Sequence, residues 1–196
     1  MTDAELINSF KNGNTSSFIG LVKKWEKPIY NFALRNLGSK HSAEDVCQTV
    51  FLKAFENLHK LKDPEKFKQW IFTIAANLCR DEFKRRKKFR QKTVSISFNE
   101  TNMFEEITDT DSELPDDRFN NMILKDILKD ALMQIPEQQR TVIIMKQYHN
   151  LKFHEIAKIT KTSENTVKSR LYYGLKTLRK ILENNKIDRE VLTNGM

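Results

Sequence analysis

Apolar residues recur at helical spacing along most of the chain. Phe18, Leu21, Val22, Trp25, Ile29, Phe32 and Ala33 predict a long helix over Thr15–Leu37, after a short one over Asp3–Lys11. Pro28 falls inside the long helix, and a kink or break is expected there. Ser42 can cap a helix over Ala43–His59, with Asp45 at the third helical position as in a capping box. Asp63-Pro64 is a helix-start signal, because proline fits the first turn. The helix it opens should run to about Lys88.

That helix carries two apolar stripes. Phe67, Ile71, Ile74 and Leu78 share one face, and Phe72, Ala76, Cys79 and Phe83 lie nearly opposite. A helix patterned this way packs on two sides. Thr73, Asn77, Arg80 and Lys84 lie between the stripes, with Trp70 flanking them. The basic run Lys84-Arg85-Arg86-Lys87-Lys88 follows, and Arg90 lies just beyond. An amide, a guanidinium and an aromatic edge on one ridge can hydrogen-bond to bases and stack on them, and the basic run can neutralise phosphates. The same residues also suit a solvated helix face whose C-terminal cations favour the helix dipole, and Trp70 also suits core packing.

After residue 121 the helical pattern returns. Met122–Ile135 is amphipathic and stops at Pro136; Gln138–His149 is a second helix; Phe153–Ile159 is short. Thr160-Lys161-Thr162 then makes a turn, and Ser163 can cap a helix reaching about Leu182. Helix, short turn and capped helix form a helix-turn-helix pattern. Small Ala157 suits the crossing, and Val167 and Leu171 are spaced to bury against Ile156. Glu164, Asn165, Lys168, Ser169 and Tyr172 are then left outward, as residue types that contact base edges and phosphates in a major groove. A helical hairpin that binds no DNA has the same pattern.

Composition sharpens this. The 196 residues include only five Gly and four Pro, which disfavours an all-β chain. An all-α fold of two small helical domains is expected. Residues 1–90 hold 18 Lys/Arg and 10 Asp/Glu; residues 91–121 hold 2 and 8; residues 122–196 hold 14 and 8. Two basic domains, 1–90 and 122–185, are therefore expected around an acidic linker, 91–121, with a tail over 186–196. The net charge of +8 makes a polyanionic partner plausible. Cys47 and Cys79 are the only cysteines and form no C-x-x-C, so a reducing compartment and no metal site are expected. No phosphate-cradling glycine motif occurs, and no cofactor or catalytic residue is expected. The acidic N-terminus lacks the signal-peptide pattern, and a cytoplasmic location is expected.

Four motifs resemble one known family. Ala43–Phe51 is similar to its region 2.2, with an Asp-x-x-Gln-x-x-Phe pattern at Asp45, Gln48 and Phe51. Phe67-Lys68-Gln69-Trp70-Ile71-Phe72-Thr73-Ile74-Ala75-Ala76-Asn77 resembles the F-x-x-W-[LI]-x-x-I-A-x-N signature of regions 2.3 and 2.4. Ile135-Pro136-Glu137-Gln138-Gln139-Arg140 resembles the L-P-x-x-x-R of region 4.1. Glu155-Ile156-Ala157 and Thr166-Val167-Lys168-Ser169-Arg170-Leu171 resemble the E-I-A and T-V-K-S-R-L of region 4.2. The family is the extracytoplasmic-function (ECF) sigma factors, within the sigma-70 family.

The resemblance covers about residues 8–90 and 122–182, and its order of motifs is specific. It implies a sigma factor, not an enzyme, that binds core RNA polymerase and promoter DNA, usually with an anti-sigma factor as a further partner. Asp45, Gln48 and Phe51 would meet the clamp helices of polymerase. Trp70, Thr73, Asn77, Arg80, Lys84, Arg85 and Arg86 would serve the minus-ten element, and the loop Leu58–Lys66 would capture a flipped base. Glu164, Asn165, Thr166, Lys168, Ser169, Arg170 and Tyr172 would read the minus-thirty-five element. The linker would thread toward the active-site channel of polymerase. An ordinary helix-turn-helix repressor would have no need of the Asp45–Phe51 surface. An enzyme acting on nucleic acid would need a metal cluster, a nucleophile with its base or a phosphate loop. The chain departs from the family at Lys161, where glycine is usual and strain of about 1 kcal/mol is expected. Thr160, Thr162, Lys152 and Tyr173 are further departures, and Gly174 lies inside the last helix at a cost of about 1 kcal/mol against Ala.

Overall fold

The structure, a computed structural model, describes residues 1–92 and 126–184. Nearly all of the expected linker, the start of the helix expected from Met122 and the tail over 186–196 lie outside the described residues. Among the described residues every regular element is helical: α1 (Asp3–Lys11), α2 (Ser17–Leu37), α3 (Lys40–Asn57), α4 (Phe67–Lys92), α5 (126–134), α6 (Glu137–Ile143), α7 (Phe153–Thr160) and α8 (Glu164–Asn184). Two 3-10 turns, Leu58–Lys60 and Pro64–Lys66, join α3 to α4, and a π turn, Ile144–Tyr148, extends α6.

Local chemistry sets most of the boundaries. Thr2 and Glu5 form a reciprocal capping box at α1. Asp63 caps the turn into α4 by accepting from the Glu65 N–H. Ser163 caps α8 by accepting from the Thr166 N–H at 3.1 Å. Two expectations need correction. The helix expected to start after Ser42 starts earlier, because Ser39 is the N-cap; Ser42 lies inside α3 and is buried. Pro28 does not end α2, which runs unbroken over 21 residues. Proline removes one hydrogen bond but keeps a helical φ, and burial of Trp25, Ile29 and Phe32 on either side of it outweighs that loss.

In the first half, α1, α2, α3 and α4 pack around Leu21, Ile29, Phe32, Val50, Phe67, Ile71 and Phe72. The two stripes of α4 are both covered. Phe67 and Ile71 are buried and Ile74 and Leu78 partly so; Phe72, Ala76 and Cys79 are buried and Phe83 partly so. The second half does not keep a separate core. Val142, Ile144, Met145, Leu151, Ile156, Ile159 and Val167 join the same apolar cluster as the first half, and α7 packs on α4. A small satellite cluster of Leu132, Ile135 and Ile143 holds α5, α6 and α8 together. For two halves this small, a shared core buries surface that neither could bury alone.

Two glycines permit the close approaches. Gly38 ends α2 in the left-handed region, φ 68°, and a Cβ there would meet Met133 Sδ of α5 at 2.6 Å. Gly174 lies where α8 crosses α6. A Cβ there would meet Ile143 Cδ1 at 2.8 Å and Gln139 Cβ at 3.2 Å. The glycine in mid-helix is therefore a packing requirement. Lys161 does adopt the strained turn expected of it, with φ 54° and ψ 47°. The Thr160 hydroxyl bonds the Ile156 carbonyl at 2.7 Å and the Thr162 hydroxyl at 2.9 Å, which keeps both threonines satisfied beside the core.

Replacing Gly174 with Ala normally favours a helix by about 1 kcal/mol. Here overpacking against Ile143 reverses the sign, and G174A loses about 1–3 kcal/mol in chemical denaturation.

Candidate functional site

Three surfaces carry the residues singled out in the sequence. The first is one face of α3. Asp45 and Gln48 are exposed and Phe51 is half-buried beside them. The same face carries two residues that sequence reasoning missed, Leu52 at 66% exposure and Phe55 at 45%. Phe18, Gln48, Phe51, Leu52 and Phe55 line one shallow cleft between α2 and α3. Phe55 meets Phe10 and Phe18 edge-on at 5.4 and 5.2 Å, and exposed Ile19 continues the patch. An apolar patch rimmed by Asp45 and Gln48 is a surface built to be covered. The signal in the sequence was Leu52 and Phe55 standing off the buried stripe Val46, Val50 and Ala54.

The second surface is the polar ridge of α4. Trp70, Thr73, Asn77 and Arg80 are half-buried, and Lys84 and Arg85 are exposed. Trp70 packs on the margin of the core, 5.8 Å from the Phe67 ring. Arg80 Nη2 donates to Asn77 Oδ1 at 2.6 Å, so the two polar groups at the ridge centre engage each other. Arg86 turns inward. It donates to Glu82 Oε1 at 2.9 Å, to the Leu37 carbonyl at 2.9 Å and to Ser42 Oγ at 2.5 Å, tying α4 to the ends of α2 and α3. Arg85 chelates the same Glu82 at 2.7 and 3.0 Å. Burial alone would raise the Glu82 pKa, but the two arginine hydrogen bonds prevail and it is lowered.

At the start of this ridge the loop between α3 and α4 is anchored by buried Leu58 and Leu61. Lys11 of α1 donates to the Leu61 carbonyl. Exposed His59, Lys60 and Lys62 face solvent from the same loop.

The third surface is the front of α8. Glu164, Asn165, Lys168, Ser169 and Tyr172 are exposed, while Val167 and Gly174 are buried behind them. Thr166 is half-buried and shares a hydroxyl bond with Ser163 at 2.9 Å. Arg170 donates to Gln138 Oε1 at 2.5 Å, bracing α8 on α6. Tyr172 and Tyr173 form an exposed edge-on pair at 5.4 Å.

Arg140, the last residue of the L-P-x-x-x-R motif, is only 5% exposed. Its Nη1 donates toward the Leu132, Met133 and Ile135 carbonyls at 3.4, 3.0 and 3.5 Å, and its guanidinium lies 5.1 Å from the Phe83 ring centroid of α4. Its Nε is buried without a hydrogen-bond partner, so Nη1 alone ties this buried cation to the helix end, and the role is structural.

Both thiols are shielded. Burial pushes Cys79 up to about 12, with Glu137 adding to the rise, and Cys47 up to about 11, with Glu26 adding. Among the described residues no three His, Cys, Asp or Glu side chains gather into a metal-binding group, and no helix is long and apolar enough to cross a membrane.

Two family models match the chain. Residues 21–89 match the family model "Sigma-70 region 2", and residues 125–178 match "Sigma-70, region 4". The chain is 30% identical over 177 residues to the ECF RNA polymerase sigma factor SigW of Bacillus subtilis, covering 90% of this chain and 94% of that one. This chain is an ECF sigma factor of the sigma-70 family.

The ECF sigma factor SigL of Mycobacterium tuberculosis is 31% identical over 156 residues, 79% of this chain and 82% of that one. In fold, this sigma factor is similar to RpoE of Bartonella quintana in its complex with the anti-sigma factor NepR. The TM-score is 0.69 at 22% identity, covering 88% of this chain and 98% of that one. The region 2 match contains the α3 face and the α4 ridge, and the region 4 match contains the front of α8. As a member of this family the protein acts in promoter-specific initiation of transcription by RNA polymerase.

Because Arg140 holds the α5 end, R140A loses about 2–3 kcal/mol of stability in urea titration. A DNA-contacting arginine of the exposed kind would leave the midpoint unchanged.

Proposed function

We propose that this ECF sigma factor divides its work between two domains, 1–90 and 122–185. The first holds core polymerase through the α3 face and opens the minus-ten element along α4. The second reads the minus-thirty-five element with the front of α8. The observation that carries this reading is how residue chemistry and exposure coincide. An apolar patch rimmed by Asp45 and Gln48 suits a protein partner, whereas exposed Asn165, Lys168, Ser169 and Tyr172 on a capped helix suit a major groove.

In the first domain, Asn77 and Arg80 would contact unstacked bases of the non-template strand, with Trp70 and Thr73 alongside and Lys84 and Arg85 on phosphates. The loop Leu58–Lys66 would hold a flipped base. Arg86, fixed to Glu82, Leu37 and Ser42, supports this helix from behind. In the second domain, Lys168, Ser169 and Tyr172 are the base and phosphate contacts, with Glu164, Asn165 and Thr166 at the entry of the helix and Arg170 as its brace. The protein works in the cytoplasm with polymerase, and an anti-sigma factor is its proposed inhibitor; RpoE of Bartonella quintana, solved with NepR, supplies the analogy. The acidic segment 91–121 connects the domains and runs toward the active-site channel of polymerase.

Replacing Asp45 and Gln48 together with Ala weakens core polymerase capture in a pull-down while circular dichroism stays unchanged. Normal capture by that double variant would refute the assignment of the α3 face.

The two DNA-reading helices act at different steps. K168A loses one contact in initial promoter binding, on the order of 1–3 kcal/mol. N77A chiefly slows strand opening, since unstacking a base costs a few kcal/mol that protein contacts must offset. Permanganate footprinting compares a duplex promoter with one carrying a pre-melted minus-ten bubble. Pre-melting rescues N77A more than K168A; equal rescue of both would mean that the helices are assigned to the wrong steps.

A further inference from the structure

The two halves of the chain meet on the flank of the α4 ridge. The stripe Phe72, Ala76, Cys79 and Phe83 borders the polar ridge, and the second half contributes the other wall of this contact. His149, at the end of the π turn, stands at its centre. Its ring lies 4.7 Å from Phe72 of α4 and 5.8 Å from Phe32 of α2. Its carbonyl accepts from Lys68 Nζ at 2.7 Å, and its Nε2 is out of solvent with no hydrogen-bond partner. Around it, Arg35 of α2 lies 4.3 Å from the Tyr148 ring centroid, Thr141 donates to Asn36 Oδ1 at 2.7 Å, and Met133 covers Gly38.

We propose that the described arrangement is a closed resting state, in which His149 latches the two halves together as a neutral imidazole, and protonation of His149 opens the latch. The consequence for DNA rests on the proposed role of the ridge, whereas opening itself is measurable without DNA or polymerase. The promoter elements named above are some 25 base pairs apart, about 85 Å of duplex at 3.4 Å per pair. A molecule whose halves share one core does not span that distance, so opening must precede promoter binding.

The pH dependence has a definite sign. Burial, then Arg35 and Lys68, lowers the His149 pKa from 6.5 to about 4. The charged groups facing it are thus cationic, from α2 and from α4. Lys146, on its own helix, is turned to the Leu151 carbonyl and the Phe153 ring. The closed state is fully favoured above pH 6.5 and weakens as pH falls from there toward 4. Between pH 7.5 and 5.5 the ratio of open to closed molecules rises about tenfold.

Cys79 reports opening, because it lies on the covered stripe beside Glu137 and Arg140. Cys47, between α2 and α3 with its thiol toward the Glu26 carbonyl, reports unfolding of the first half. The full-length protein is treated with 4,4′-dithiodipyridine, which reacts under acid conditions, and each thiol is followed by peptide mass spectrometry. At each pH the wild-type rate is divided by that of H149F, which keeps a ring and cannot be protonated; H149L serves if the larger ring is not accommodated. The Cys79 rate ratio rises about tenfold from pH 7.5 to 5.5 while the Cys47 ratio stays flat. A flat Cys79 ratio, or an equal rise at both thiols, overturns the latch.

Discussion

Phe72 is completely buried, and its ring is contacted from three directions. Trp25 and Phe32 of α2 meet it edge-on at 6.2 and 5.3 Å, and His149 approaches from the second half at 4.7 Å. Aromatic packing of this kind combines a large buried area with a preferred geometry. It fixes the roll of α4 about its own axis. Once that roll is fixed, Glu82 and Arg86 fall under α3, and Trp70, Asn77 and Arg80 fall on the ridge. The position of every polar group on α4 follows from where its apolar groups must go.

The arginines illustrate how one residue type serves opposite ends. Arg86 and Arg140 are spent on carbonyl oxygens and a carboxylate inside the protein, whereas Lys84 and Arg85 stay at the surface. A planar guanidinium with several donors can close off helix ends in this way, and lysine lacks the fork to do it. Stiffness behind the ridge and charge in front of it come from neighbouring residues in one basic run.

Much of this organisation was legible in the sequence because it is local. The doubled apolar stripe of α4, the cap at Ser163 and the Asp63-Pro64 start follow from spacing or from backbone preference, whereas the left-handed Lys161 was expected only from the glycine usual at that place in the resembled family. Pro28 does not break α2, because its penalty is local and the compensating burial of Trp25 and Phe32 is not. Ser42 misled because Ser39 offers an equally good cap one turn earlier. The inward turn of Arg86, the burial of Arg140 and the need for Gly174 depend on which helix lies opposite, and a periodicity cannot name a partner. The apolar face of Leu52 and Phe55 was readable in principle, since both stand off the buried stripe.

The π turn at Ile144–Tyr148 amounts to one residue more than an α-helix of the same span would use. Each residue of an α-helix turns the chain by about 100° and advances it by about 1.5 Å. The extra residue therefore acts as a phase shift in the chain. It brings the His149 ring round toward Phe32 and Phe72 and sets the angle at which α7 and α8 leave. Relatives that lost or gained one residue in this stretch would aim their helix-turn-helix about a quarter turn away from the first half. A length change here is thus a change of architecture.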